Sequence, residues 1–476
     1  MKENFARSND WLWLSLALFP LITLSFLFSI HAFDYWWYLR VAQDTLINGT
    51  IPSVDTISWT RAGEPVIYQA WLAGLIFLIV NNLGGAPLTY LLRGLVLGLT
   101  FGNLWFLARH RSNVYIATLV ILIAGAASAN NWEMRPQLFT YPLFAFCLYC
   151  LLRWQDGENR TIWFLPLITI LWSNIHGSYA LIFVLTGAAL LFGKGDRQPL
   201  AIVLGVMVVG TLFTPYGLNL WRYLTFMLQT PSNQLFSLEW APPRNEGWQM
   251  NVFFGWMLVM APLAAFSGRK LSLLEWILFL GFGWLALSRI RHIIWFLLIV
   301  SVLTPSLLSG LLPAWKIGTK KAAPVLNFAL AVSFMLLPLF FLPGIREKWW
   351  DEAPPTYALS SNPIAATDWL RQHPELPGPM WNDFAYGSYL AFALPTRPTW
   401  LDTRFYVFPP EQMEQYQQIS HASNGWDTVL QEQGINLLFL SKGGQAELIA
   451  KLDMTTWCVQ YQDKYAIIFA RCQPIQ

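Results

Sequence analysis

The sequence predicts an α-helical polytopic membrane protein of about eleven spans, followed by a small α/β domain at the C-terminus. Of its 476 residues, 55% are hydrophobic and only 12% are charged, which is about half the charge that soluble domains carry. Trp occurs 26 times and Phe 33 times, as expected where aromatic rings line membrane interfaces. Apolar runs recur through the first three quarters of the chain, and a bilayer core needs about 17–25 residues per helix.

These runs predict one membrane domain over residues 1–344. The first run is interpreted as a retained span because no small-residue cleavage site follows it, and the alternative is a cleaved signal peptide. A shorter run at 71–83 is predicted to lie on, or dip into, the outer leaflet. The predicted spans are 11–30, 87–108, 113–130, 136–153, 161–175, 177–193, 199–214, 251–266, 271–288, 292–312 and 323–342.

The Lys and Arg residues of the loops place the N-terminus inside, because cytoplasmic loops carry an excess of cations. Thirteen cations fall in short inside loops and seven fall outside before the C-terminal domain. We therefore predict a multi-pass protein of the cytoplasmic (inner) membrane with its C-terminal domain outside. The inside cations are Lys2, Arg7, Arg109, Arg111, Arg153, Arg160, Lys194, Arg197, Arg269, Lys270, Lys316, Lys320 and Lys321. The outside cations are Arg40, Arg61, Arg135, Arg222, Arg244, Arg289 and Arg291.

Two outside segments are long, 31–86 and 215–250, and long loops on one face of a bundle usually carry function. In the first, the stretch 35–49 has aromatic residues on one side, which is typical of a helix lying in the membrane interface. From about residue 345 charges and prolines become more frequent, so 345–476 is predicted to be an extracytoplasmic α/β domain. Its last element is a predicted hairpin of 457–462 and 465–472.

Polar residues gather at the outer ends of the predicted spans. Ionisable groups at a membrane boundary are costly, so they are candidates for function. The alternative is that some cap helices or anchor the bundle to lipid head groups. The set comprises Asp34, Asp55, Glu133, Arg135, Asn174, His176, Glu239, Arg289, Arg291 and His292.

Asp34 is the sharpest candidate because it follows the first span directly and stands among aromatic residues. A carboxylate there can act as a general base or hold a metal ion beside a lipid-borne substrate. The alternative is that Asp34 caps the helix that begins beside it, because Asp is a preferred N-cap residue.

Arg289, Arg291 and His292 stand together at the outer end of the ninth span. Arginine binds phosphate through two parallel hydrogen bonds, so this group suits a polyprenyl-phosphate head group. Arg135 joins the group or pairs with Glu133. The alternative is nonspecific attraction of anionic lipid.

Two segments resemble signatures of oligosaccharyltransferase catalytic subunits. FDYWWYLR at 33–40 resembles their first outer-loop signature, and WNDFAYGSYL at 381–390 faintly resembles their Trp-Trp-Asp-Tyr-Gly signature. The whole layout also looks like that of bacterial membrane proteins regarded as GT-C-like. The segments that carry this second likeness are DTISW, RPQLF, NIHG, TPYG, EWAPP, the Arg pair at 289 and 291, and LDTR at 401–404.

The resemblance implies a GT-C glycosyltransferase fold and transfer of a sugar from a polyprenyl-phosphate or polyprenyl-diphosphate carrier at the outer leaflet. It carries the role of the central acidic residue of the first outer loop to Asp34. The implied partners are a polyprenyl-phosphate-linked sugar donor, a glycan, lipid or protein acceptor, and membrane lipid. Oligosaccharyltransferases have several acidic metal ligands in the second outer loop, whereas only Glu133 stands there in this sequence. A Mg or Mn site at Asp34 and Glu133 is therefore a minor expectation.

The first functional hypothesis is an inverting glycosyl transfer at the outer membrane face. Asp34 is the catalytic carboxylate, and the phosphate is bound by Arg289, Arg291, His292 and Arg135. Three further residues line the site: Asp55, His176 and Glu239.

Two hypotheses from other classes stay open. The first is a non-catalytic membrane scaffold or assembly subunit, which should tolerate Asp34→Ala. The second is a flippase or polymerase of cell-surface polysaccharide, although a transporter should carry polar residues deep in several spans. The net charge of +3 gives no sign of nucleic-acid binding.

The four cysteines are too few for a disulfide framework, and Cys147 and Cys150 lie inside an apolar run. Cys458 and Cys472 begin and end the predicted hairpin. The register we predict places Cys458 opposite Phe469, which favours two reduced thiols. A bulge or a shifted turn would instead allow a disulfide, which needs Cα atoms within about 7 Å.

Overall fold

The computed structural model describes residues 8–311, 323–350 and 362–473, and it is mostly helical with one small sheet near the C-terminus. The Lys316–Lys321 loop, which contributes to the predicted topology, lies outside the described residues. Each of the eleven predicted apolar runs contains a helix. In the first 350 residues the α-helices are α1 (Ser8–Phe26), α2 (Asp34–Asn48), α3 (Trp71–Arg111), α4 (Val114–Ala127), α5 (Thr140–Gln155), α6 (Leu165–Ile175), α7 (Ala180–Phe192), α8 (Arg197–Gly210), α9 (Asn219–Gln229), α10 (Pro231–Phe236), α11 (Gly247–Phe266), α12 (Leu273–Ser288), α13 (Ile293–Leu311), α14 (Pro324–Leu336) and α15 (Arg346–Trp350).

Short 3-10 helices extend or connect several of these elements. They are Ala129–Asn131, Pro136–Phe139, Thr161–Phe164, Gly177–Tyr179, Leu238–Trp240, Ile290–His292 and Leu337–Phe341. Among the described residues, four helical stretches are long and apolar enough to cross a membrane: Trp71–Arg111, Gly247–Phe266, Ile290–Leu311 and Pro324–Phe341. The total of about eleven spans stays a prediction.

Helix α3 contains a break that separates the short run 71–83 from the predicted span that follows it. The backbone leaves helical geometry at Gly84 and Gly85, where Gly85 has φ 55° and ψ −145°. Only glycine adopts that region readily. The run 71–83 is therefore helical, and its predicted place at the outer leaflet stays a prediction.

The chain divides into two compact units that draw on alternating segments. The first, here called the bundle unit, comprises Met1–Phe28, Gly84–Leu220 and Leu238–Pro354. The second, here called the loop–sheet unit, comprises Ser29–Leu83, Trp221–Ser237 and Pro355–Gln476. The first predicted outer loop thus clusters with the C-terminal segment.

Helix α13 is the central helix of the bundle unit, because it is buried along nearly its whole length. Trp295 on α13 packs against Tyr141 and Phe144 of α5 and against Trp172 of α6. The 3-10 turn at Ile290–His292 leads directly into this helix. The cations at 289–292 therefore stand immediately before a buried helix.

The loop–sheet unit contains a four-stranded mixed sheet. Its strand order is β1-β2-β4-β3, with β1 and β2 parallel and the other pairs antiparallel. Buried Trp381, Trp400, Leu438 and Phe469 form much of its core. The elements are α16 (Ile364–Arg371), β1 (Met380–Asn382), α17 (Phe384–Ala393), α18 (Pro410–Ser420), α19 (Trp426–Glu432), β2 (Leu437–Ser441), α20 (Ala446–Lys451), β3 (Trp457–Gln462) and β4 (Ala466–Arg471).

The final hairpin forms, but its predicted register was wrong by one residue. Cys458 lies opposite Ala470, and Val459 takes the place opposite Phe469. Next to the turn, the pairs Tyr461–Ile468 and Gln462–Ile467 lie two positions away from the predicted register, because the turn comes later than predicted. The bulge between Val459 and Tyr461 takes back one of these positions, because an extra residue on one strand offsets the partners beyond it. Cys458 and Cys472 consequently come within 5.3 Å, Cα to Cα, and form a disulfide.

The interpretation of 35–49 as a helix lying in the membrane interface was also wrong for its aromatic side. Tyr35, Trp36 and Trp37 of α2 are buried in protein. Trp36 packs edge-on against Tyr389 of α17, with ring centroids 4.9 Å apart. The sequence shows an apolar stripe, but it does not show which surface covers that stripe.

Candidate functional site

Asp34 is the first residue of α2 and is half-buried. The N-cap is Phe33, and no side chain caps this helix, so Asp34 does not serve as the N-cap. A carboxylate in the first turn is stabilised by the helix dipole. Its Oδ1 accepts hydrogen bonds from Thr403 Oγ1 at 2.6 Å and from the Trp37 indole at 3.3 Å.

Thr403 links Asp34 to helix α17. Since the Thr403 hydroxyl donates to Asp34, its oxygen accepts from Ser388 Oγ, 2.8 Å away. The Thr403 backbone N–H in turn lies 3.4 Å from Ser388 Oγ. The result is a short line of hydroxyl groups that ends on the candidate carboxylate.

Asp55 is fully buried and forms an ion pair with Arg404. Arg404 Nη1 donates to Asp55 Oδ1 at 2.7 Å and to the Tyr68 hydroxyl at 2.8 Å. On its other side Arg404 bonds both carboxylate oxygens of Asp402, with Nη2 at 2.7 Å from Oδ2. Asp55 also accepts from the Ile57 backbone N–H. Its carboxylate is thus occupied by the protein.

The buried network holds two carboxylates and one guanidinium. Burial opposes ionisation of Asp55, but the charge and hydrogen bonds of Arg404 outweigh burial and lower the pKa of Asp55. For Asp402, burial prevails over Arg404 and raises the pKa of that carboxyl. The two acids thus share one cation, and their pKa values move in opposite directions.

In the bundle unit, Arg135 lies between two carboxylates. Its Nε is 3.0 Å from Glu133 Oε2, and its Nη1 bonds Glu239. Burial would raise the pKa of Glu239, but the charges of Arg135 and Arg291 keep it below the ordinary value. The sequence left open whether Arg135 joins the other cations or pairs with Glu133, and the structure shows the pairing.

Arg289 and Arg291 share one aromatic surface. Their guanidinium carbons lie 4.3 and 4.7 Å from the ring centroid of Trp240. Such cation–π contacts orient arginine without using its N–H donors. Within the described part of the chain, no hydrogen-bond acceptor or acidic side chain pairs with the Arg289 guanidinium. Its donors are therefore available for an anionic ligand.

The two predicted histidines, His176 and His292, are both affected by the charges of nearby arginines. His176 Nδ1 accepts from the Ser178 backbone N–H at 3.1 Å, so the ring proton resides on Nε2. Burial, Arg291 and Arg135 lower the pKa of His176 to about 3. His292 Nδ1 is buried and has no hydrogen-bond partner among the described residues. His176 is thus a neutral donor, whereas a general base needs a pKa nearer the working pH.

The described residues do not form a preassembled divalent metal site. Mg and Mn need several oxygen ligands, and no group of three or more His, Cys, Asp or Glu side chains occurs among the described residues. Glu133 is paired with Arg135, and Asp34 accepts from Thr403. The two carboxylates of the expected Mg or Mn site are therefore each bound by other side chains of the protein.

Solved structures show the fold of the whole chain. The Archaeoglobus fulgidus oligosaccharyltransferase, solved with a tethered acceptor peptide, matches 97% of this chain and 74% of its own, at 13% identity and a TM-score of 0.55. The mycobacterial arabinofuranosyltransferase AftD matches 98% of this chain and 40% of its own, at 13% identity and a TM-score of 0.53. No protein-family model matches the sequence, and a search of curated proteins finds no significant match.

The chain therefore has the distant GT-C-like fold that the resemblance at residues 33–40 implied. At 13% identity the likeness establishes the fold alone.

Three residues of the site were missed by sequence reasoning. Arg404 and Thr403 stand in the LDTR segment, which carried the resemblance but was given no role. Trp240 stands in EWAPP, beside Glu239. Their partners lie far away along the chain, so the sequence does not show the contacts. The one signal that could have identified these residues is their position in the polar motifs LDTR and EWAPP.

Proposed function

We propose that this protein is a membrane glycosyltransferase of the GT-C type that moves a sugar from a polyprenyl-phosphate-linked donor to an acceptor at the outer face of the cytoplasmic membrane. The observation that carries the proposal is the Arg289–Arg291 pair on Trp240, whose geometry suits a phosphate at a membrane boundary. The GT-C-like fold supports it, because both matched enzymes are glycosyltransferases.

In the proposed reaction, Asp34 takes the proton of the acceptor hydroxyl. The acceptor oxygen attacks the anomeric carbon from the face opposite the phosphate, and the bond from that carbon to the phosphate oxygen breaks. The electron pair stays on this oxygen, so polyprenyl phosphate leaves with one more negative charge. The configuration at the anomeric carbon is inverted.

Arg289 and Arg291 would neutralise the charge that develops on the leaving phosphate, and electrostatic stabilisation of this kind usually contributes most to catalysis. His292, and His176 as a neutral N–H donor, would add hydrogen bonds. Arg135 would help through its charge while Glu133 and Glu239 hold it in place. Asp55 would act indirectly, because its carboxylate is already bound to Arg404.

The proposed topology has about eleven spans, the N-terminus inside and the loop–sheet unit outside. The disulfide between Cys458 and Cys472 supports this orientation, because disulfides persist in oxidising compartments and are rare in the cytosol.

A release assay tests the proposal. The purified protein in nanodiscs is incubated with polyprenyl phosphates that carry glucose, galactose, mannose, N-acetylglucosamine or arabinofuranose and are labelled at the phosphate. Membrane glycolipid extract supplies acceptors, and empty nanodiscs are the control. Release of labelled polyprenyl phosphate from at least one donor is expected. Release no faster than the control from every donor contradicts the proposal and favours a non-catalytic scaffold.

A further inference from the structure

The segment 401–404 makes two kinds of contact in the loop–sheet unit. Thr403 donates a 2.6 Å hydrogen bond to Asp34. Its two neighbours, Asp402 and Arg404, are fully buried and bonded to each other. Because Thr403 lies between these two buried residues, its backbone has little freedom to move.

The buried Asp402–Arg404 pair is also bonded to the first outer loop. Arg404 bonds Asp55 and Tyr68, which stand 349 and 336 positions earlier in the chain. Breaking a buried ion pair strongly destabilises a protein, so this link is costly to open. It fixes the backbone that presents Thr403.

The Thr403 side chain is fixed by its own bonds. Ser388 on α17 lies 2.8 Å from Thr403 Oγ1, and Thr403 is buried. With Ser388 donating to it, the Thr403 hydroxyl proton is directed at Asp34. The carboxylate is thereby held at Oδ1, which also accepts from the Trp37 indole at 3.3 Å.

From this geometry we infer that Thr403 is a positioning residue that orients the Asp34 carboxylate, and that the buried Asp55–Arg404–Asp402 network serves to hold Thr403 in place. The inference rests on the proposed function, in which Asp34 is the base. It gives the C-terminal segment a specific part in the reaction. A base held in one orientation reacts faster because its position is fixed before the reaction begins.

The first arm of the test measures the contact itself through thermal unfolding of the full chain in detergent. Asp34→Ala, Thr403→Val and the double variant form a double-mutant cycle. The melting temperature of the double variant is expected to fall by less than the sum of the two single-variant shifts. The difference should be about 2 °C, the scale of one hydrogen bond in a protein of this size. Additive shifts overturn the inference, because the two side chains then do not interact.

The second arm measures turnover of the polyprenyl-phosphate-linked donor that the wild type releases fastest. Thr403→Val should lower kcat roughly tenfold with KM nearly unchanged, which marks an interaction made in the transition state. Thr403→Ser, which keeps the hydroxyl, should restore most of kcat. Unchanged kcat in Thr403→Val, with an active wild type, overturns the inference and leaves the proposed function standing.

Thr399→Val is the matched control. Thr399 is buried just before that segment, and its hydroxyl has no hydrogen-bond partner among the described residues. This variant should show wild-type kcat and additivity with Asp34→Ala. A tenfold loss in Thr399→Val would mean that packing in the segment, and not the Thr403 hydroxyl, sets the rate. If the wild type turns over no donor, the proposed function and this inference fall together.

Discussion

At the scale of single residues, Arg289 differs from Arg135 because, among the described residues, no acidic side chain pairs with it while Trp240 contacts its guanidinium. Arg135 is already paired with two acids. Each charge-assisted hydrogen bond contributes about 1.5–3 kcal/mol. The site therefore has a defined binding element, in contrast to a diffuse positive surface.

Arg289→Gln should weaken binding of polyprenyl phosphate by roughly 10-fold or more, the affinity change that corresponds to losing such a bond. Native mass spectrometry of the detergent-solubilised protein measures it. Arg244→Gln is the control, since Arg244 is an exposed cation of the outer segment 215–250. Equal losses in both variants would point to nonspecific attraction of anionic lipid.

Arg404 contrasts with Arg289, because Arg404 is buried and its guanidinium is bonded to Asp55, Asp402 and Tyr68. Arg404→Met should destabilise the protein by about 3–5 kcal/mol, since it leaves Asp55 and Asp402 buried without their cationic partner. Thermal unfolding checks this, with Arg371→Met as the control. Arg371 pairs with Asp368 on the surface, where a pair contributes about 0–1 kcal/mol. Similar small shifts in both variants would contradict the structural role of Arg404.

At the scale of elements, the last hairpin shows how strand register decides whether a covalent bond forms. The disulfide joins residues 14 positions apart, and a loop of that length gains about 3 kcal/mol from closure. Cys458→Ser should therefore lower the melting temperature, and Cys472→Ser should do no further harm in combination with it. Thiol labelling of the unreduced, denatured protein gives a direct check. Full labelling of both cysteines would show that the bond is absent in solution.

Sequence periodicity predicts the elements well but not their partners. All eleven apolar runs are helical, since hydrophobic length is a local property. The aromatic stripe of α2 was assigned to the membrane interface, because the sequence does not show that α17, far along the chain, covers it. The predicted register of β3 on β4 was wrong for a related reason, since the position of the turn and the bulge are both set by packing on the two strands.

The candidate site shows the same limit. Asp34, Arg289 and Arg291 were found because ionisable groups at a membrane boundary are unusual. The pairing of Asp55 with Arg404 and the bond from Thr403 to Asp34 join residues 349 and 369 positions apart. A single sequence carries no signal for such pairs.

At the scale of the whole molecule, the proposed function depends on orientation. A reporter fused after Gln476 should lie outside the cytoplasm, and one inserted in the Lys316–Lys321 loop should lie inside. The excess of cations in the inside loops is the physical reason. Protease protection or thiol accessibility in intact cells measures both. A cytoplasmic C-terminus would exclude the eleven-span topology and the outward-facing site.

The central claim is that Asp34 is the base in sugar transfer from a lipid-linked donor. The most direct measurement compares wild type and Asp34→Asn for release of labelled polyprenyl phosphate at saturating donor. We predict that kcat falls by about 100-fold or more, as expected when a general base is removed, while binding of the donor and the melting temperature stay near those of the wild type. Near wild-type turnover in Asp34→Asn would contradict the role of Asp34 as the base.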